Sequence, residues 1–566
     1  MMMPNSKVKT DTKFRHLSEA EIKSLESSGC TAEKWDDVLV TDSFDLNSIS
    51  NVHFLGPVTI SPGVVMRNVR GGIGNCHIGE NTRIENVDRI DFEPEAQCGI
   101  GTPVNVLDET GSRPVIIFPG LSSQVATLIA RDPKWYESNF SPHLQEAVEK
   151  MEVSHSIGEN SIIKDSGRLL NVSVGNEVVI EGARSLVNGT IINNSSLSKP
   201  LTYIGHGVDA ENFIVEDARL ESGCIIRNCY VGQGVEIGKG FSAHDSLFFA
   251  NSTFENGEAC ALLAGPYTVS MHKGSLLIGC QTSFMNAGSS TNESNHMYKL
   301  GPVHWGLLER GVKTSSGAYI MFGARIGAFS MIMGAHKTHP DSSSFPFSYL
   351  FGDEKGATIV VPGAMLRSCG LMRDEKKWPT RDRRIKRRLP LHDNITFNVL
   401  NPYTVDSMLK ALDKINELLS HPTDDDLYLR HKGMKFTRAA LERAKLLYTV
   451  AIYKYLSLTL PELKWPEPLH EEPPQWVDLG GHVMKRETLE AAKEAKSLEN
   501  MQKIFDDAFE SFKDDELKWI ASRFGEKWRK TPQEIIEGAK RFDSIVEEDR
   551  REYLENIAHE NKMLAL

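Results

Sequence analysis

Residues 228–238 read Asn-Cys-Tyr-Val-Gly-Gln-Gly-Val-Glu-Ile-Gly, placing Val231 and Ile237 six positions apart, each followed by glycine. The spacing recurs upstream: Ile78, Ile84 and Ile90; Ile157 and Ile163; Val174, Ile180 and Leu186. A period of six fits neither the 3.6 of an α-helix nor the alternation of a hairpin strand. It fits coils of three short strands, each contributing one inward aliphatic residue with glycine or a small polar residue at the corner, stacked as a hexapeptide parallel β-helix. Branched aliphatics suit the inward positions because they stack coil on coil, and glycine suits corners that need unusual backbone angles.

A longer pattern, N-x-x-[IV]-G, repeats at Asn75–Gly79, Asn171–Gly175 and Asn228–Gly232. A β-sandwich would instead show alternation and hairpin dipeptides, and these are sparse. The fold class is therefore mainly β, with the β-helix over residues 47–370. Residues 107–152 lose the spacing and hold two helix-like runs, Ser122–Arg131 and Ser141–Met151, which read as a helical insertion. Residues 1–46 form an N-terminal helical segment, with a polar helix over Leu17–Leu25 starting near Ser18. From Pro402 the period becomes helical: Leu409, Leu412, Ile415 and Leu419 share one face, and Leu441, Leu447, Val450 and Ala451 another. Residues 402–566 thus read as an α-helical C-terminal domain, with a proline-rich connector at Pro461–Gly481 and later helices over Glu487–Phe509, Lys513–Phe524 and Pro532–Asn561. The last opens with Thr531-Pro532-Gln533-Glu534, a capping-box signature.

The chain has 566 residues, 40% hydrophobic and 25% charged, with a net charge of −12. That balance argues against a nucleic-acid partner and against a membrane protein. The eight cysteines (Cys30, Cys76, Cys98, Cys224, Cys229, Cys260, Cys280, Cys369) have no metal-ligand spacing and read as reduced, mostly buried thiols. The N-terminal stretch has no apolar h-region, so a cytoplasmic protein is expected.

Chemistry-bearing residues concentrate in Ile326–Gly352, IGAFSMIMGAHKTHPDSSSFPFSYLFG, where His336 and His339 follow a strand pattern that is ending. An imidazole there can take a proton from an acceptor hydroxyl or amine. The small-residue loop between Gly279 and Trp305 offers Asn292, Glu293, Asn295, His296, Lys299 and His304 for a substrate. Residues 371–401 form a basic linker: Arg373–Arg388 carries nine Lys/Arg against three Asp/Glu. It reads as a solvated face or linker, or as a phosphate contact for a cofactor through Arg373, Lys376, Lys377 and Arg381.

Gly334-Ala335-His336, then Asp341-Ser342-Ser343-Ser344-Phe345-Pro346-Phe347, then Leu350-Phe351-Gly352 resembles a segment of the xenobiotic type of hexapeptide acetyltransferase. The resemblance implies a left-handed parallel β-helix of the trimeric, LpxA-like class. It further implies acetyl-CoA or another acyl-CoA as co-substrate, held between the β-helices of a homotrimer, and no metal. Carried over, His336 is the general base, with Ser343, Ser344 and Phe347 bordering the acceptor pocket; Asp341, read from the sequence itself, lies close enough to orient the ring or contact a substrate. Counted to Phe-Pro-Phe, the spacing is two residues longer than the family's from His336 and one shorter from His339, so both stand as candidates. After the segment only Ala357–Ser368 resembles a further coil. The whole-chain layout also resembles a bacterial family known only as a domain of unknown function.

The expected function is hexapeptide-type acyl transfer to a hydroxyl or amine of a sugar, nucleotide sugar or other small acceptor. Two other readings compete: a non-enzymatic scaffold or ligand-binding protein, and a protein that handles sugar nucleotides. A γ-type carbonic anhydrase would need three zinc-ligating histidines, which His304, His336 and His339 could supply, but their spacing does not resemble that family's.

Overall fold

The computed structural model describes residues 13–195, 202–294, 305–321, 323–420 and 427–564. The chain divides into two compact units: Met1–Ile278 with Arg383–Asp393 and Ser497–Glu499, and Gly279–Asp382 with Asn394–Lys496 and Asn500–Leu566.

The first unit is a parallel β-solenoid. Its strands pair with the strand one coil on, and inward residues align in columns. One column runs Met66, Ile84, Ile163, Ile180, Ile204, Leu220, Ile237, Phe254. A second runs Ile60, Ile78, Ile157, Val174, Ile191, Val215, Val231, Phe248. Every one of these side chains is buried. Pairing begins before the hexapeptide spacing does, with Thr31–Ala32 beside His53–Phe54 and Val38–Thr41 beside Val58–Ile60.

The corners differ from the sequence expectation in a physically informative way. Left-handed backbone is taken by asparagine, not by the glycine of N-x-x-[IV]-G: Asn75 and Asn171 have φ +56° and Asn228 φ +51°. Asparagine tolerates this region and stacks its amides between coils. Asn51, Asn68, Asn86 and Asp165 form one such ladder with links of 2.8–2.9 Å, and Asn188, Asn212, Asn228 and Asp245 another. The glycines answer to close approach instead. A Cβ on Gly175 or Gly232 would press on a carbonyl of the next coil, and one on Gly189 would overlap the Phe213 ring.

Between Ile84 and Ile163 the chain leaves the stack and returns to it. The excursion includes helices Ser123–Arg131, capped by the Ser122 hydroxyl, and Ser141–Glu149.

The second unit contains further parallel coils, for example Asn292–Ser294 beside Tyr319–Met321 beside Ala335–His336. The solenoid strand Thr358–Val361 pairs with Met434–Phe436, which belongs to a hairpin with Leu429–His431. Helices Pro402–Ser420, Arg438–Thr459, Phe512–Arg523 and Pro532–Leu564 make this C-terminal region predominantly helical. Thr531 and Glu534 form the reciprocal cap, with links of 2.9 and 3.3 Å. The stretch expected as a connector also holds a hairpin, Trp476–Leu479 with His482–Lys485. Gly480 and Gly481, at φ +58° and +90°, form the tight turn that a Gly-Gly pair allows.

Ile180 lies mid-column with no exposed surface. Ile180→Ala is expected to destabilise the first unit by about 2–5 kcal/mol, read as a lower denaturant midpoint. The exposed Ile225→Ala should move it by far less.

Candidate functional site

Histidine 336 stands inside the solenoid. Ala335–His336 continues the parallel stack, so His336 pairs with Ile320, which pairs with Glu293 on the preceding coil. The ring is buried, with Nδ1 2.9 Å from Thr358 Oγ1 and Nε2 3.2 Å from the Met333 carbonyl. A carbonyl only accepts, so Nε2 carries the proton and Nδ1 accepts from the threonine hydroxyl. Burial pulls this imidazole down to about 4. Both nitrogens are engaged, and the ring packs as a core residue. His339 is exposed.

The neighbouring candidates also pack or pair. The Asp341 carboxylate accepts from the Ser343 amide and hydroxyl at 3.2 and 2.5 Å and from Lys432 Nζ at 2.5 Å. Ser344 is half-buried, while Phe347 is buried and stacks on Phe329 at 5.4 Å. Glu293 is buried with Oε2 2.8 Å from Cys280 Sγ, and burial raises its carboxyl to about 7. Asn292 is half-buried, with its Oδ1 unpartnered. Asn295, His296, Lys299 and His304 lie outside the described residues. Arg373 and Lys376 are exposed and Lys377 half-buried on helix Cys369–Thr380, and Arg381 is exposed just beyond it. These side chains form no shared constellation among the described residues. Nor does any group of three or more His, Cys, Asp and Glu there converge as a metal would require. Among the described residues no helix is long and apolar enough to cross a membrane.

The first unit holds a cluster that the sequence reading missed. Strand Asp209–Glu216 ends its buried Phe213-Ile214-Val215 run with Glu216, which is 2% exposed, and Asp217 follows at a left-handed turn. Residues 383–393 run alongside and bring His392 to this carboxylate, with Nε2 2.8 Å from Glu216 Oε1. Glu216 Oε1 also accepts from Asn194 Nδ2 at 3.2 Å, while Oε2 accepts from the Gly120 amide at 2.8 Å and the Tyr230 hydroxyl at 3.0 Å. Asp217 accepts from the Asn194 backbone and side chain at 2.6 and 3.1 Å and from Gln233 at 3.2 Å. Gln233 also donates to the Pro390 carbonyl, at 2.7 Å, and accepts from the His392 amide at 3.2 Å. Asp393 joins the two elements on either side, accepting from the Ser123 amide at 2.6 Å and the Ala250 amide at 3.2 Å.

This arrangement polarises the histidine. Burial opposes protonation of His392, but the facing Glu216 carboxylate outweighs it, so the ring's pKa is raised above its ordinary value. Burial likewise opposes ionisation of Glu216, and His392 more than offsets that, holding its carboxyl below the usual range. Asp217 rises to about 6 because it is buried, with the Glu216 charge adding to the effect. His392 Nδ1 is buried and has no partner. Gly120 is its neighbour, and a side-chain carbon there would reach only ordinary contact with the ring, so the φ of +83° is what calls for glycine. With Nε2–H directed at Glu216, the neutral ring carries its lone pair on Nδ1.

The raised His392 pKa stabilises the fold at pH below about 6.5, and that contribution is lost as pH rises through the folded-state value. The lowered Glu216 pKa contributes above about 4.5 and is lost in acid. His392→Gln is therefore expected to cost about 3–5 kcal/mol near pH 6. Denaturant titrations across pH should show the gap to wild type narrowing on the alkaline side.

Comparison with known proteins gives a family without a reaction. A relative from Treponema pallidum (strain Nichols), described as an uncharacterized protein, is 25% identical over 478 residues; the alignment covers 74% of this chain and 64% of that protein's length. The family model described as Domain of unknown function (DUF4954) matches residues 14–62 and 57–419, spanning solenoid coils of both units and the His392 segment. The chain belongs to that family.

Proposed function

We propose that the protein is an acyltransferase in which His392, held by Glu216, removes the proton from a hydroxyl or amine of a small acceptor. The acceptor class is a sugar, nucleotide sugar or similar polar molecule, and the donor is acetyl-CoA or another acyl-CoA. One observation carries the reading: a histidine with one ring nitrogen 2.8 Å from a buried carboxylate and the other without a partner. That is the geometry of a general base whose tautomer and basicity are set by a carboxylate. The role that resemblance implies for the segment around His336 moves to His392, because His336 has both nitrogens engaged. Nδ1 is buried, so an acceptor reaches it only if the packing around the ring opens. The donor rests on the resemblance of the fold class alone, as do left-handed winding and assembly as a homotrimer.

A scaffold role is the second reading, and the burial of Nδ1 away from solvent favours it. In that case the cluster only ties residues 383–393 to the solenoid. The two readings separate by release of free CoA from acetyl-CoA with a panel of hydroxyl and amine acceptors. Acyl transfer predicts turnover that falls by about 10²–10⁴ in His392→Gln, with circular dichroism showing a folded variant. In the wild type, kcat/KM should rise with pH through a pKa above the ordinary histidine value. Absence of acetyl-CoA binding and of CoA release across the panel contradicts the proposal.

A further inference from the structure

A different wall of the first unit carries a depression of about 330 Å³. Strands Arg168–Val174, Ser185–Ile192, Asp209–Glu216 and Ile225–Val231 form its floor. Two outward rows cross them, Arg168, Ser185, Asp209, Ile225 and Leu170, Val187, Glu211, Arg227. Adjacent coils bring such residues within about 5 Å of one another. Three guanidinium groups, Arg168, Arg184 and Arg227, thus face one hollow with Asp88, Asp209 and Glu211.

The charges are unequally committed. Arg227 is fixed in place: it donates to Asp209 Oδ1 at 2.7 Å and to the Asp209 and Ile226 carbonyls at 2.8 and 2.9 Å. That pair largely neutralises itself. Arg168 is held only at Nε, 3.0 Å from Ser185 Oγ, leaving its two terminal nitrogens available. Arg184 has a side chain 78% exposed, and its nearest carboxylate oxygen, Asp209 Oδ2, is 4.0 Å away. Two guanidinium forks on neighbouring coils therefore point into the hollow without full partners. Planar forks of this kind grip phosphate with paired hydrogen bonds.

The remaining lining narrows the ligand. Ligand cavities are usually walled by apolar and aromatic groups, but no aromatic residue lines this one. A nucleobase would have nothing to stack on. Asp88, and Glu211 with one oxygen 3.8 Å from Arg227 Nε, can instead accept from hydroxyl groups. The volume suits a small molecule, and the net charge of −12 disfavours a long polyanion.

We propose that this hollow binds a phosphorylated sugar, with Arg168 and Arg184 on the phosphate and Asp88 and Glu211 on the hydroxyls. The site is independent of acyl transfer, because the left-handed turn at Asn212 separates Asp209–Glu211 from the run that ends at Glu216.

Isothermal titration of the full chain with glucose 6-phosphate, glucose and inorganic phosphate tests the assignment. The expected result is tightest binding of glucose 6-phosphate, weaker binding of phosphate and none of glucose. Arg168→Gln and Arg184→Gln should each weaken glucose 6-phosphate binding by about tenfold. Both side chains are on the surface, so thermal melting should be unchanged. The proposal is overturned if none of the three binds at millimolar concentration, or if affinity survives in the double variant. Equal affinity for phosphate and glucose 6-phosphate would overturn the sugar assignment.

Discussion

Stacking coil on coil obliges every inward position to match the one above and below it. The column from Met66 through Ile84, Ile163, Ile180 and Ile204 to Phe254 satisfies this with aliphatic and aromatic side chains of similar reach. Burying a side chain of that size stabilises by roughly 1.5–3 kcal/mol, and the strand ladder fixes its register. The same rule lets the chain leave after Asp91 and rejoin at Ser156, because Ser156–Ile157 pairs with His77–Ile78 and Ile163 with Ile84. An insertion costs little when its two ends already meet in the stack.

Departures from that rule are the informative positions. Glu216 places a carboxylate where the coil offers little water, and a buried charge is tolerated only when it is paired and hydrogen-bonded. Its partners come from four sequence regions: Gly120, Asn194, Tyr230 and His392. The network thereby ties the insertion, the solenoid wall and residues 383–393 together within one unit. It also leaves one histidine nitrogen without a partner, the property that distinguishes His392 from His336. His336 departs from the aliphatic rule too, but Thr358 and Met333 satisfy both of its nitrogens.

Most of the architecture is legible in the sequence because the solenoid is quasi-one-dimensional: each coil meets only its neighbours, so six-residue spacing at Val231 and Ile237 reports tertiary packing directly. The asparagines were legible as a motif, while their role as left-handed corners was assigned to the glycines beside them. The Trp476–Lys485 hairpin carries a local signal of its own, the Gly480-Gly481 turn, inside a stretch whose prolines read as a connector. The Glu216–His392 pair was not legible, since its members stand 176 residues apart and no local pattern links them. His392 sits behind a basic run that draws attention to its charge, and adjacent acids at Glu216-Asp217, closing an apolar run, are the available signal. The setting of His336 is hidden for the opposite reason. Gly-Ala-His looks like the end of a strand, and only the register with Ile320 shows that the stack continues through it.

The account turns on the state of one imidazole. Long-range proton–nitrogen NMR on protein labelled with ¹⁵N at histidine reads the tautomer and titration of His392 directly, with His392→Gln identifying the resonance. The neutral ring is expected to carry its proton on Nε2, with a pKa above the ordinary histidine value in wild type that falls in Glu216→Gln. A neutral ring protonated on Nδ1, or a pKa indifferent to Glu216, would contradict it.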